Sequence, residues 1–220
     1  MNEIVSYYDT LASTYDENRF NNTYGKFIDN QERKILDRLL TNKNEVILDL
    51  ACGTGRLLNY ASLGVDASSA MVEISKAKFP KKTILLNEAD QLIIENNSID
   101  TIISFHFFMH LEERKIHAIF EECNRVLKKN GRIIFDIPSR KRRQLLGYKK
   151  EDWHGASSFS IEDLKLKSNF EIKRTIGFLF LPIHRFPKFC RKFLITINSF
   201  LATSFLKEYS SYLIIEFEKK

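Results

Sequence analysis

Residues Glu45 to Arg56, reading EVILDLACGTGR, constrain the fold of this chain more than any other stretch. Val46, Ile47, Leu48 and Leu50 form a short apolar run of the kind that makes a buried strand. Asp49 interrupts it near its end, and the chain then turns through Ala51, Cys52, Gly53, Thr54 and Gly55. Small residues and two glycines let the backbone approach a ligand closely, because no side chain stands in the way. Leu57, Leu58 and Tyr60 predict a helix after the turn, with its N-terminal amides facing the same ligand. Strand, glycine turn and helix together make a nucleotide-type binding element.

The spacing narrows which nucleotide. A NAD-binding turn reads G-x-G-x-x-G, but here Gly53 and Gly55 are followed by Leu58, so the third glycine is missing. The phosphate-cradling run G-x-x-x-x-G-K-[ST] occurs nowhere. The pattern D-x-[GA]-x-G-x-G is matched throughout by Asp49-Leu50-Ala51-Cys52-Gly53-Thr54-Gly55. It resembles the first motif of the class I S-adenosylmethionine-dependent methyltransferases. An ordinary tight turn after a strand is the alternative, but it has no need of Asp, Gly and Gly in register.

Composition sets the outer bounds. At 220 residues and 44% hydrophobic content, the chain has the length and apolar mass for one domain with a substantial core. Its net charge of +6 permits nucleic-acid or acidic-lipid partners without demanding them. Cys52, Cys123 and Cys190 lie far apart, which gives neither a disulfide framework nor a zinc site and points to a reducing, cytoplasmic setting. The polar start MNEIVSYYDT is not patterned as a signal or transit peptide. No apolar run approaches the roughly 18 residues of a membrane span.

In chain order, residues 1–42 read as N-terminal helices. The string YYDTLASTYDE resembles the segment that packs over the cofactor in small-molecule methyltransferases, with Tyr15 among the residues facing the ligand. A surface helix whose tyrosines cover the core edge is the other reading. Phe27, Ile28, Ile35, Leu36, Leu39 and Leu40 make one helical stripe. Residues 43–138 carry the cofactor-binding core. Leu63-Gly64-Val65-Asp66 is the next strand, and its resemblance to the family assigns the Asp66 carboxylate to the ribose hydroxyls. Capping the following helix is the alternative for Asp66. Asp66 stands only eleven residues past Gly55, so the helix between them has two turns at most. GVDASSAM resembles the family's G-V-D-x-S-x-x-M, which brings Ala67 and Met71 to the adenine side. By the same resemblance Asp90 accepts from the adenine amino group.

Ile99 to Phe105 reads as a buried strand that delivers Phe105 and His106 at its carboxyl end, where ligands of open α/β sheets bind. Phe105 belongs to the cofactor side, and His106 is the candidate proton acceptor. His110 falls on the family's "LHHL" string, where the His is structural. Glu112 to Lys129 predicts a long amphipathic helix stopped by Asn130-Gly131, followed by a strand over Arg132 to Ile137. RVLKKNGRIIFDIP resembles the family's third motif.

Residues 139–220 form the acceptor-side half. They hold a basic run at Arg140–Arg143, with Lys149-Lys150 beyond it, and an aromatic turn at Trp153-His154-Gly155. A capping-box helix starts at Ser160, and two final strands form an antiparallel hairpin. Between those strands, residues 178–209 interleave phenylalanines with Arg185, Lys188, Arg191 and Lys192. Peripheral membrane contact, a pocket roof, a dimer face and plain packing all suit that pattern.

The resemblance implies a Rossmann-like α/β fold with a seven-stranded, mainly parallel sheet and helices on both faces. The implied cofactor is S-adenosyl-L-methionine, and the expected reaction is methyl transfer to a small molecule such as a glycan or lipid intermediate. RNA or tRNA methylation, motivated by Arg140–Arg143, and a non-catalytic cofactor-binding module are the alternatives. Neither the acceptor nor the oligomeric state can be read from the sequence.

Overall fold

The computed structural model describes residues 3–148, 157–167 and 170–220. Lys149-Lys150 and the Trp153-His154-Gly155 turn lie outside the described residues. Seven strands form one sheet: β1 (Ile47–Leu50), β2 (Leu63–Asp66), β3 (Thr83–Leu86), β4 (Ile99–Ser104), β5 (Leu127–Pro138), β6 (Phe170–Phe178) and β7 (Tyr212–Lys219). Their order across the sheet is β3-β2-β1-β4-β5-β7-β6. The first five pair in parallel, and β7 runs antiparallel between β5 and β6. This is the Rossmann-like arrangement expected from the sequence, with β6 rather than β7 at the edge.

The helices are α1 (Glu3–Leu11), α2 (Tyr15–Phe20), α3 (Thr23–Leu39), α4 (Ser69–Lys78), α5 (Glu113–Val126), α6 (Arg140–Leu145), α7 (Ile161–Lys167) and α8 (Lys188–Thr203). Two apolar layers sandwich the sheet. On one side Ile116, Ile119, Phe120 and Cys123 of α5 meet Phe135 and Phe217. On the other, Ile28, Leu36 and Leu39 of α3 meet Ile47, Ile103 and Ile134. None of the helices among the described residues is long and apolar enough to cross a membrane.

Two expectations need correction. The helix predicted after the glycine turn does not form. Its place is taken by successive turns closed by Gly55 N–H to Cys52 O, Leu58 N–H to Gly55 O and Ala61 N–H to Leu58 O, each spanning three residues. The reason is length. Only residues 51–62 separate β1 from β2, and both ends are tied down by Cys52 N–H to Val65 O and Ser62 N–H to Ile47 O. With Cys52 and Ser62 fixed, only residues 53–61 remain free, fewer than the roughly 10–12 that a crossover containing a helix needs. Leu57, Leu58 and Ala61 still reach the core, and they pack in the layer with α3.

The second correction concerns Gly131. Helix α5 ends at Val126, and Gly131 is not its cap. The residues after it already belong to β5, where pairing with β4 slips between Ile99 and Thr101, and Asn130 takes φ 61° in the irregularity. Such a bulge absorbs extra residues without ending the strand. The capping box at Ser160 forms as predicted: Ser160 Oγ accepts from Asp163 N–H, and the Asp163 carboxylate accepts from Ser160 N–H.

The α5 side of the sheet is held by an aromatic cluster. The Phe135 ring lies 5.0 Å from Phe108, 5.1 Å from Phe217 and 5.5 Å from Phe120, and Phe135 is wholly buried. Phe135→Ala is expected to lower stability by about 3–5 kcal/mol. Urea unfolding measures this, and a loss below about 1 kcal/mol would mean that the cluster closes around the gap.

Candidate active site

The carboxyl ends of β1, β2 and β4 open into a cleft of about 840 Å³, part of it continuous with solvent. From the sheet side Ala51, Gly53, Asp66, Ala67, Met71 and Phe105 line it, and Tyr8 and Tyr15 cover it from α1 and α2. The two glycines of the turn serve different ends. A Cβ at Gly53, φ 53°, would meet nothing within 4 Å, so its backbone lies bare to the cleft. A Cβ at Gly55, φ 88°, would meet Leu58 and Phe79 at 3.0 Å, so Gly55 serves packing beneath the turn. Ala51 also takes a left-handed φ of 60°.

Asp66 closes the turn onto β2. Its carboxylate accepts from Gly53 N–H at 2.7 Å and from Ser68 N–H at 2.9 Å. The N-cap of α4 is Ser68, whose hydroxyl accepts from Met71 N–H, so capping does not occupy Asp66. Burial pushes the Asp66 pKa up, and the backbone N–H groups offset part of that rise. Asp49 sits deeper, in an adjoining small cavity with Thr54, Arg56 and Phe20. Burial raises its pKa to about 7, against the lowering by Arg56 and with a further rise from Asp66. Asp90 stands apart from the cleft lining. Its Oδ2 takes Lys115 Nζ at 2.6 Å, while Asn87, Glu88, Ala89 and Lys115 itself form the wall there.

Acidic side chains tie the N-terminal helices over the cleft. Asp9 on α1 accepts from the Ser68 hydroxyl at 2.6 Å and from Ala70 N–H at 3.2 Å. Asp16 on α2 accepts from the Thr54 hydroxyl at 2.5 Å and pairs with Lys78. Neither acid was singled out from the sequence, because a carboxylate in a polar, tyrosine-rich helix looks solvated until its partners are known.

A buried ionic chain runs beneath. Glu32 on α3 is wholly buried, with one oxygen 2.7 Å from Arg56 and the other 2.7 Å from His106 Nε2. His106 Nδ1 faces Asp136 at 3.5 Å, and the His106 N–H donates to Asp136 at 2.6 Å. Arg56 also reaches Asp29 at 2.7 Å. Burial alone would depress the His106 pKa, but Glu32 and Asp136 outweigh it and hold it above the ordinary value. For Glu32 burial works upward, and His106 and Arg56 together bring its pKa below the ordinary value. Asp136 stays raised by burial. A signal for Glu32 was present in the sequence, since Ile28, Glu32 and Leu36 share one helical stripe.

A second cavity, of about 680 Å³ including its open part, lies beyond His106. Arg19, Phe20, Tyr24, Met109, His110 and Tyr212 are among its walls. Tyr15 and His106 line this cavity, the cleft and the small Asp49 cavity alike. His110 borders both large cavities, and its Nε2 lies 3.1 Å from the Tyr8 hydroxyl. The basic run at Arg140–Arg143 is engaged within the chain. Arg140 pairs with Asp163, Lys141 with Glu208, Arg142 donates to Tyr209 O, and Arg143 lies over the Tyr148 ring.

Residues 48–135 match the family model of a methyltransferase domain. An uncharacterized protein of Methanocaldococcus jannaschii is 36% identical over 137 residues, which cover 61% of this chain and 51% of that protein. A demethylmenaquinone methyltransferase of Thermotoga maritima is 32% identical over 136 residues, 58% of each chain. The match thus spans little more than half the length of these relatives. A solved methyltransferase of Thermotoga maritima, described as S-adenosylmethionine-dependent and a possible histamine N-methyltransferase, superposes with a TM-score of 0.72 at 20% identity. It covers 99% of this chain and 100% of that one. Domain match, shared sheet and glycine turn identify residues 48–135 as a methyltransferase domain of the class I S-adenosylmethionine-dependent type.

Proposed function

We propose that the chain transfers the methyl group of S-adenosyl-L-methionine to a small-molecule acceptor held in the cavity beyond His106. The observation that carries this reading is the meeting of cleft and cavity at Tyr15 and His106. The cleft suits an adenosyl group. Val65, Ala89, Phe107 and Leu111 give it apolar walls, Asp66 keeps lone pairs beyond the two N–H bonds it already accepts, and Gly53 leaves its backbone bare. The small cavity, with Asp49, Thr54 and Arg56, suits an amino-acid head group. When bound, the cofactor supplies a sulfonium methyl that an acceptor nucleophile attacks in line.

The chain's own share is alignment, water exclusion and the handling of one proton. Tyr15 screens the junction, and the lid held by Asp9 and Asp16 shuts water out. The two carboxylates that flank His106 favour its imidazolium form, and it acts as a base only once it is deprotonated. Glu32 is a positioning residue that sets the pH at which this happens. An acceptor small enough to enter a cavity walled by Tyr24, Met109 and Tyr212 fits a glycan or lipid intermediate better than a folded RNA. The basic run that would have contacted phosphates is engaged elsewhere.

Calorimetric titration with S-adenosylmethionine should show binding that Asp66→Ala weakens about tenfold or more. No binding to the unaltered chain would remove the proposal. Asp49, with its pKa near 7, is partly protonated at neutral pH, and a cationic cofactor favours its ionised form. Affinity should therefore rise with pH through about 7, with protons released on binding, and Asn at position 49 should flatten that dependence. His106→Gln should lower kcat about 100-fold or more with KM little changed. Turnover should climb with pH through a pKa above the ordinary 6.5, and Glu32→Gln should move that limb to lower pH, because burial then acts on His106 with one carboxylate fewer. An unmoved limb would show that His106 is not the group being titrated.

In stability terms, the His106 share is complete below about pH 6.5 and is lost as pH rises through its higher folded pKa. The Glu32 share is complete above about pH 4.5 and is lost as pH falls through its lower folded pKa. Removing the Glu32 charge should cost about 3–5 kcal/mol between those limits, measured by urea unfolding.

A further inference from the structure

The segment from β6 to β7 presents a surface that methyl transfer does not use. Its first part is ordinary core: Phe178, Leu179 and Ile183 are buried. Helix α8 behaves differently on its two faces. Asn198 and Ala202 turn inward, and the Asn198 side chain accepts from Leu181 N–H at 2.9 Å, which anchors the helix on the chain leaving β6. On the opposite face Phe189, Phe193 and Phe200 fall within about 40° of one another at 3.6 residues per turn. Their exposures are 88%, 70% and 72%, and Phe205, just past the helix, is 89% exposed. Four phenylalanines in water on one docked helix and its exit are a patch in need of an occupant.

Charge selects the occupant. From Ile172 to Lys207 the chain contains no Asp or Glu, while Arg185, Arg191 and Lys192 lie around the start of α8. Arg191 braces the turn before the helix by donating to Phe186 O and His184 O. A second copy of this face would bring cations against cations with no carboxylate to pair them. An anionic bilayer offers what the surface lacks: phosphates for the cations and an acyl boundary for the rings. The position agrees. The His184 ring, one residue before Arg185, lies 4.2 Å from Tyr24, which is itself half exposed on the wall of the cavity beyond His106.

We propose that α8 docks this chain on an anionic lipid surface, with Phe189, Phe193, Phe200 and Phe205 in the headgroup–acyl boundary and the basic cluster on the phosphates. The His184–Tyr24 contact sets the start of this segment beside a wall of the acceptor cavity, so the acceptor class that goes with docking is an amphiphile drawn from the bilayer. That second statement rests on the acceptor site assigned above, whereas the docking itself does not.

Flotation of the full chain with vesicles of phosphatidylcholine, alone or mixed with phosphatidylglycerol, tests the docking. Binding is expected only to the mixed vesicles and should weaken as salt is raised. Phe189→Ser, Phe193→Ser and Phe200→Ser combined should weaken it about tenfold or more, and so should Arg185→Glu with Lys192→Glu. Both variants should keep the circular dichroism and cofactor affinity of the parent, because none of these residues lines the cleft. That control separates failure of docking from failure of the methyltransferase reading. Absence of binding to the mixed vesicles, or equal binding by the serine variant, would overturn the proposal. It would also be overturned by a concentration-dependent dimer, or by retention on polyuridylate, that the serine variant abolishes, since the patch would then belong to a second copy or to RNA.

Discussion

Glu32 is the group on which the arrangement of this site depends. A carboxylate with no exposure to water is costly unless cations surround it, and here Arg56 and His106 stand 2.7 Å from its two oxygens. Each partner comes from a different part of the fold: Arg56 from the loop after the glycine turn, His106 from the end of β4. Through His106 the chain continues to Asp136 on β5. One residue of α3 thereby ties that helix to the loop after the glycine turn and to the carboxyl end of β4.

The shortened link between β1 and β2 explains why the site leans on side-chain bonds. In place of a helix terminus, the turn is held by Asp66 at Gly53, by the Cys52–Val65 backbone bond and by Asp16 at Thr54. These contacts bring β2, α2 and the glycine turn to one point. The face that a crossover helix would have covered is filled by Leu57, Leu58 and α3. The same economy of chain leaves Arg56 free to turn inward and meet Glu32 and Asp29.

Tyr15 and His106 stand where the cleft meets the cavity beyond His106, and residues of the N-terminal helices line both. Tyr24, on the wall of that cavity, packs against His184 just before the chain enters α8. A rigid sheet thus carries the shared chemistry, while the less standard elements at both chain ends shape what reaches it. This division follows from packing: the sheet is buried on both faces and tolerates little change, whereas the covering elements touch it on one face only.

The mainly parallel sheet with its closing hairpin and the turn at Asp49 to Gly55 were legible in the sequence. Each depends on local signals: apolar runs of strand length, glycines where side chains cannot fit, and an acid at a strand end. The helix after the turn was misread because Leu57, Leu58 and Tyr60 have helical spacing, and only the tied ends at Cys52 and Ser62 show that the loop is too short for it. Gly131 resembled a helix cap because a bulge uses the same left-handed conformations. Asp66, Met71, Phe105 and Tyr15 meet at one cleft in the fold, but Asp90 turns to Lys115, which no local pattern foretells. The sequence by itself determined the sheet and the glycine turn, since those follow from residues adjacent in the chain. Tertiary structure alone decided which acids are buried, which histidine lies between carboxylates and which face of α8 remains bare. Desolvation and pairing depend on what distant segments bring alongside.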